Sequence, residues 1–337
     1  MAEDAERRGA EGGGAAAIVR AFWITAPGAG EIRDEALPEA GPDEIVVRAL
    51  YSGVSRGTEA LVFRGLVPPT EYQRMRAPFQ AGTLPGPVKY GYSSVGTVER
   101  GPRDLEGQAV FTLFPHQSRY VVPVAGAHPL PPGVPPSRAI LAANMETAVN
   151  GVWDAELKPG DRLTVIGAGA VGCLVAYAAR RTIGCEVELI DTNPEREAIA
   201  RALGVRFAQS DAATPGATVV VHASGSPAGL SRALAIAAFE AVIVEMSWYG
   251  CQPVALPLGE AFHSQRLTIR SSQVGHVARP KRAQFDRRAR MQFALSLLDD
   301  AALDALITGE SRFEDLPQVM AGLAQGPAGT ICHRIRY

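Results

Sequence analysis

The stretch LTVIGAGAVGCLVAYAARRTIGCEVELID, Leu163 to Asp191, decides how this chain is read. A short apolar run (Leu163, Thr164, Val165, Ile166) enters a turn with glycine at Gly167, Gly169 and Gly172. An apolar helix pattern follows, and a second β-rich run (Val187 to Ile190) ends on Asp191. Strand, glycine turn, helix, strand and acid is the order of a dinucleotide-binding βαβ unit. Gly167 permits the tight turn, Gly169 lets the backbone approach a pyrophosphate, and Gly172 lets the helix pack close to the strand. Ala170 and Val171 open the helix, whose free N–H groups and positive dipole end face the phosphates. Asp191 is placed to accept hydrogen bonds from an adenosine ribose diol, and its charge repels a ribose phosphate. NAD is therefore expected over NADP, with NADP left possible by the nearby Arg196. The competing reading is a glycine-bearing turn in an ordinary parallel sheet.

Downstream, strands alternate with helices. Arg196 to Leu203 reads as a helix ending at Gly204, Thr218 to Ala223 as a buried strand, Ala228 to Ala238 as a helix, and Ala241 to Met246 and Leu267 to Ser271 as further strands. That alternation implies a parallel sheet covered on both faces. Ser224 and Gly225 fall at the carboxyl end of a strand, where ligands bind in open α/β sheets, so both are expected at the cofactor. His222 is expected to pack or to touch the adenosine. Trp248 and Tyr249 either line the cleft or simply pack.

Upstream, short β-rich runs separated by Gly and Pro predict a compact, barrel-like β domain: Ala17 to Ile24, Glu44 to Leu50, Ser94 to Glu99, Ala109 to Phe114 and Ser118 to Val122. Pro68 to Pro87 reads as a long loop, and Ser137 to Ala155 as a helix leading into the nucleotide strand. His276 to Arg290 is basic and continues as an amphipathic helix through Leu298; a solvated, Arg-rich face is expected there rather than a phosphate or nucleic-acid site. A helix at Leu316 to Ala324 and a final strand, TICHRIRY, would return to the first domain.

The 337 residues have room for two domains. A hydrophobic content of 47%, a charged content of 20% and a net charge of −2 describe a globular protein with no general attraction to nucleic acid or anionic membrane. Four scattered cysteines without a CxxC pair argue against a zinc ribbon or redox dithiol, and the start, MAEDAERRGAEGGGAAA, reads as a disordered tail without a signal peptide. A reduced, cytoplasmic protein is expected.

The β-rich first half, KPGDRLTVIGAGAVG, HASGSPAGL and the closing return resemble the medium-chain dehydrogenase/reductase superfamily over nearly the whole chain from Ile18 to Tyr337. SGVSRGTEALVFRG followed by PVKYGYSSVGTV is similar to its zinc-type alcohol dehydrogenase branch, and to the bacteriochlorophyllide hydroxyethyl dehydrogenases. The resemblance implies an α/β fold: a GroES-like barrel domain over 17–148 and 276–337, and a Rossmann doubly wound parallel sheet over 149–275, with a tail at 1–16. It also implies a homodimer, hydride transfer with a nicotinamide cofactor, and a contact of Thr147 with the nicotinamide.

The chain departs from that pattern at the metal. Zinc-dependent members of the family carry a cysteine where this chain has Ser55. They carry a His-Glu pair where it has Tyr92 and Ser93, and a third ligand near Ala143. The four-cysteine structural zinc lobe is also missing. A zinc site needs three protein ligands and an open position, and only Glu59, His116 and Glu146 offer material to rebuild one. No zinc is expected. Ser55, Thr58 and Tyr92 would then surround the vacated position as hydrogen-bond donors, and His116 is the imidazole nominated as acid or base, against a loop histidine packed on Phe114. The expected reaction is hydride transfer between NAD(H) and a secondary alcohol or ketone small molecule. The rival readings are an NADPH-dependent quinone or enone reductase and a non-catalytic nucleotide-binding protein.

Overall fold

The computed structural model describes residues 17–326 and 329–337, so the tail expected over 1–16 lies outside the described residues. The chain starts with β1 (Ile18–Ala26), whose inward residues Val19, Ala21, Phe22 and Ile24 are buried. It turns at Gly28, with φ +78°, into β2 (Ala29–Ala36). The sequence pattern missed β2 because AGEIRDEA buries almost nothing: its residues are half-exposed and mostly polar. The next strand, β3 (Glu44–Val54), runs four residues further than its apolar core suggested and delivers the chain into α1 (Arg56–Phe63). The expected loop from Pro68 to Pro87 contains the short strand β4 (Ala81–Gly82). Then come β5 (Val88–Lys89), β6 (Ser94–Arg100), β7 (Ala109–Thr112), β8 (Arg119–Pro123) and β9 (Ala127–Pro129).

The linking helix is broken in two, α2 (Pro136–Ala139) and α3 (Ala142–Ala155), and α3 ends on Glu156 in the left-handed conformation. The glycine turn then lies between β10 (Arg162–Ile166) and α4 (Ala170–Ala179), with β11 (Glu186–Asp191) beyond. The remaining units are α5 (Arg196–Ala202), β12 (Arg206–Gln209), β13 (Ala217–His222), α6 (Pro227–Ile236), β14 (Ala237–Glu245) and β15 (Thr268–Ser271). These six strands are all parallel in the order β12-β11-β10-β13-β14-β15. The strand order reverses between β10 and β13, and that crevice is where a doubly wound sheet binds a dinucleotide.

Beyond β15 the chain forms α7 (Arg287–Ser296), β16 (Ile307–Arg312), α8 (Leu316–Ala324) and β17 (Cys332–Arg336). The last strand pairs antiparallel with β3 and so closes the chain back onto the first domain. There β2-β1-β5-β4 form one sheet, and β16-β17-β3-β6-β7-β9, with β8 also on β3, form another. One apolar cluster joins the two halves: Val95 and Phe111 of the β domain, Met145 and Ala148 of α3, Leu174 of α4 and Met291 of α7 belong to it.

The basic segment differs from expectation at one residue. Arg279, Lys281 and Arg287 are not buried, but Arg290 is 2% exposed and spans the interior. Its guanidinium donates to Glu146 Oε1 (3.0 Å), Asn150 Oδ1 (2.6 Å) and the carbonyls of Val274 (2.6 Å) and His276 (3.1 Å). A side chain with five donors satisfies that many acceptors in one place, which is why an arginine is buried where the pattern implied a solvated one. Glu146, correspondingly, is no free helix carboxylate.

Candidate functional site

At the turn after β10, Gly167 has φ +102°, and a side chain there would run into the backbone of Ser224. A side chain on Gly172 would collide with the carbonyl of Gly167. Gly169 has open space around it, and nothing blocks a ligand from its backbone. The first intrahelical bond of α4 is Cys173 N to Gly169 O (2.9 Å), which leaves the amides of Ala170, Val171 and Gly172 without helical partners. Those three donors and the helix dipole form a ready anion cradle. Asp191, at the end of β11, accepts from Ala168 N (2.7 Å) through Oδ2 and from Asn193 N (2.8 Å) through Oδ1. The carboxylate is thereby fixed beside the turn, and each oxygen keeps a lone pair for a ribose hydroxyl.

Ser224 and Gly225 are exposed just beyond β13, on the far side of the turn from Asp191. Thr147 lies half-buried on α3 and donates to Ala143 O (2.9 Å), so its hydroxyl proton is engaged and its oxygen is left to accept. Two arginines that sequence reasoning passed over or mentioned only for NADP also meet here. Arg56 holds Gly326 O (3.0 Å) and Arg196 holds Gly329 O (2.7 Å). Burial, then the charge of Arg196, pushes Arg56 below the usual guanidinium range. Two cations that repel one another beside a glycine turn are suited to an anion between them.

The position that the resemblance assigns to the metal is built at the start of α1. Glu59 reaches back to Ser55 N (2.7 Å), fixing the turn that presents Ser55, and Ser55 Oγ donates to Asn144 Oδ1 (3.3 Å) on α3. Tyr92 points its phenol at the hydroxyls of Ser55 and Thr58. Burial, and next the charge of Glu59, push that phenol up to about 12, and the two hydroxyls pull weakly the other way. It is therefore a donor at neutral pH. Ala143, at the third position, offers no ligand and is 5% exposed. Among the described residues no group of three or more His, Cys, Asp or Glu side chains is arranged to hold a metal ion. A hydroxyl, a phenol and a methyl group do not make a zinc donor set.

Of the residues considered for rebuilding a site, Glu146 is held by Arg290, while Glu59 and His116 meet each other. His116 is 1% exposed, with Nε2 at 2.9 Å from Glu59 Oε2 and Nδ1 at 2.7 Å from Ser52 Oγ. Ser52 in turn lies 3.0 Å from the phenol of Tyr337, the terminal residue. With Nε2–H donating to Glu59, Nδ1 accepts from Ser52 and Ser52 accepts from Tyr337, and every group is satisfied. The structure thus joins His116 to Glu59 under the site and closes it off from the cleft, in contrast to the expected acid or base. No signal in the sequence pairs residues 57 positions apart with residue 337.

No family model matches the chain. It is 27% identical to the 2-dehydro-3-deoxy-L-galactonate 5-dehydrogenase of Pseudoalteromonas atlantica, over 67% of this chain and 66% of that protein. It is 23% identical to the D-guloside 3-dehydrogenase of Escherichia coli, over 85% of this chain and 87% of that protein. Among solved structures, an alcohol dehydrogenase from Escherichia coli CFT073 complexed with NADH superposes with a TM-score of 0.74 at 17% identity, covering 95% of this chain and 99% of that one. The two-domain architecture, the glycine turn and these likenesses agree: the chain has the fold of the medium-chain dehydrogenases and is similar in sequence to sugar-acid and glycoside dehydrogenases.

Proposed function

We propose that the protein interconverts a secondary alcohol and a ketone with NAD(H), and that it does so without zinc. The observation that carries the metal-free reading is the environment of Tyr92: a protonated phenol stands with Ser55 and Thr58 where the family's zinc ligands would be. A bound nicotinamide cofactor supplies the hydride acceptor or donor. The chain's own work is to hold the substrate oxygen. Tyr92 donates to that oxygen as negative charge gathers on it, and the Ser55 and Thr58 hydroxyls share the load, the part a metal plays elsewhere. Asp191 supports NAD over NADP, since a 2′-phosphate would meet its carboxylate. Arg56 and Arg196 are placed to neutralise the cofactor's pyrophosphate together with the cradle of Ala170, Val171 and Gly172. The names of the relatives favour a polyol or sugar-derived hydroxyl as the reacting group.

The test combines metal analysis with turnover. Protein purified with chelator and found free of zinc should oxidise a panel of sugar acids and polyols with NAD, and added zinc should not raise the rate. Turnover that requires zinc would overturn the metal-free reading, and turnover of enones with NADPH alone would replace the alcohol reading.

A further inference from the structure

The C-terminal ends of β13 and β14 carry a hydrogen-bonded chain that the zinc-free site leaves unused. Ser224 Oγ lies 2.6 Å from His222 Nε2, and His222 Nδ1 lies 2.8 Å from Glu245 Oε2 and 3.0 Å from Oε1. Glu245 also accepts from Ser247 N (2.6 Å) and from the phenol of Tyr249 (3.1 Å). Burial, and next Glu245, push the Tyr249 phenol well above its ordinary value, so it remains a donor. Ser224 Oγ accepts from Ser226 N (3.2 Å), which leaves its own proton to point at Nε2. The resulting pattern has one sense: a carboxylate with donors converging on it, an imidazole with Nδ1–H on that carboxylate, and Nε2 free to accept. His222 is fully buried, and its outlet is the exposed Ser224.

Position gives this chain a purpose. Asp191 takes the adenosine ribose at β11, so a dinucleotide crossing the switch point brings its nicotinamide half to β13 and β14. The segment after β14 crosses to the β domain, where Cys251 N donates to Leu66 O (2.9 Å) and Trp248 packs in the apolar cluster that also touches Tyr92. No other histidine is so placed. His116 is sealed by Ser52 and Glu59. His128 sits on β9 beside Arg288, and His333 is bound to Ser311. His263 and His276 are exposed, away from the ends of β13 and β14. The titratable groups facing His222 are Glu245 and Tyr249, from β14 and the turn after it. β10 contributes Ile166 and α6 contributes Gly229, neither ionisable.

We propose that His222, acting through Ser224 and oriented by Glu245, is the proton acceptor of alcohol oxidation, with its protonation set by the charge on the nicotinamide ring. The proposal rests on the NAD(H) reading. In oxidation the electron pair of the substrate C–H bond leaves as hydride to the cofactor and the C–O bond becomes C=O. The hydroxyl proton passes, by way of water in the cleft, to Ser224 Oγ as the serine's own proton moves to Nε2. The imidazolium is stabilised by Glu245 and later releases its proton by the same route; reduction runs each transfer backward. A cationic ring beside Ser224 disfavours imidazolium and a neutral ring does not, so His222 sheds its proton when the oxidised cofactor binds and retains it with the reduced form.

Proton release is measurable without knowing the substrate. The full chain is titrated calorimetrically with NAD and with NADH at several pH values around neutrality, in two buffers of different ionisation enthalpy. The expected result is net proton release with NAD and less with NADH. That difference should vanish in His222→Gln and Glu245→Gln, two separate replacements that guard against a misfolded one, and persist in His116→Gln. Each variant's NADH affinity should stay within about threefold of the parent if folding is intact. No difference between NAD and NADH in the parent, or an undiminished one in both His222→Gln and Glu245→Gln, overturns the proposal. Failure of the parent to bind either nucleotide instead overturns the cofactor reading beneath it.

Discussion

Glu59 and His116 face each other at 2.9 Å with 2% and 1% of their surface exposed, and the same carboxylate holds the backbone of Ser55. A buried pair of this kind organises the site from below. His116→Ala leaves the buried Glu59 carboxylate short of one donor, and leaving a buried polar group unsatisfied costs about 1–3 kcal/mol. Denaturant unfolding should register that loss with NADH affinity little changed, because the histidine does not reach the cleft. An undiminished stability with abolished turnover would return His116 to the role of acid or base.

Asp191 carries the proposed preference for NAD. Asp191→Ala removes the acceptor for the ribose diol and the charge opposing a phosphate. NADH affinity should fall by about 1.5–3 kcal/mol, on the scale of hydrogen bonds to a charged group, while NADPH affinity rises. Fluorescence titration with both nucleotides reads the two shifts, and an unchanged ratio would show that the carboxylate does not discriminate.

Tyr92 is expected to act as a donor over the working pH range. Tyr92→Phe should lower kcat/KM by about a hundredfold, the scale of losing one oxyanion donor. Because the phenol is pushed up to about 12, its removal should leave the pH profile below that value unmoved. A pH limb near neutrality that disappears in the variant would mean the phenol ionises there.

The interior arginine is a stability element. Arg290→Met strips Glu146 of its guanidinium and leaves acceptors on Asn150, Val274 and His276 unpaired, a loss of about 3–5 kcal/mol. Thermal unfolding should show it. Combining Arg290→Met with Glu146→Leu should recover part of the loss, since the orphaned charge is then gone.

His128 makes stability fall on mild acidification. Burial, then the charge of Arg288, lowers its imidazole to about 4 from 6.5, and its Nδ1 is buried without a partner. The unfolded chain takes up this proton before the folded one does. The contribution is therefore complete above the unfolded value, declines as pH falls from 6.5 toward about 4, and is gone below the folded value. Its size is on the order of 3 kcal/mol. His128→Phe should flatten the stability profile between those limits, and an equally steep profile in the variant would place the acid sensitivity elsewhere.

What the sequence determined by itself is local. The glycine turn, its flanking strands and Asp191 lie within 29 consecutive residues. Each was legible because a tight turn, a close helix and an apolar run need particular residue types at fixed spacing. The residues at the positions that the resemblance assigns to zinc ligands, Ser55, Tyr92 and Ala143, were legible for the same reason. Charge and polarity obscured the rest. β2 was missed because a strand lying at a sheet edge need not alternate cleanly, and Arg290 looked solvated because its acceptors come from residues 146, 150, 274 and 276. Only the tertiary structure could decide which histidine is sealed and which has an outlet. His116 and His222 each sit near a strand end in the sequence, yet one is closed in by Glu59, Ser52 and the terminal Tyr337, and the other is bonded to the exposed Ser224. A side chain's protonation and reach depend on neighbours brought from distant parts of the chain, and spacing along the chain carries no information about them.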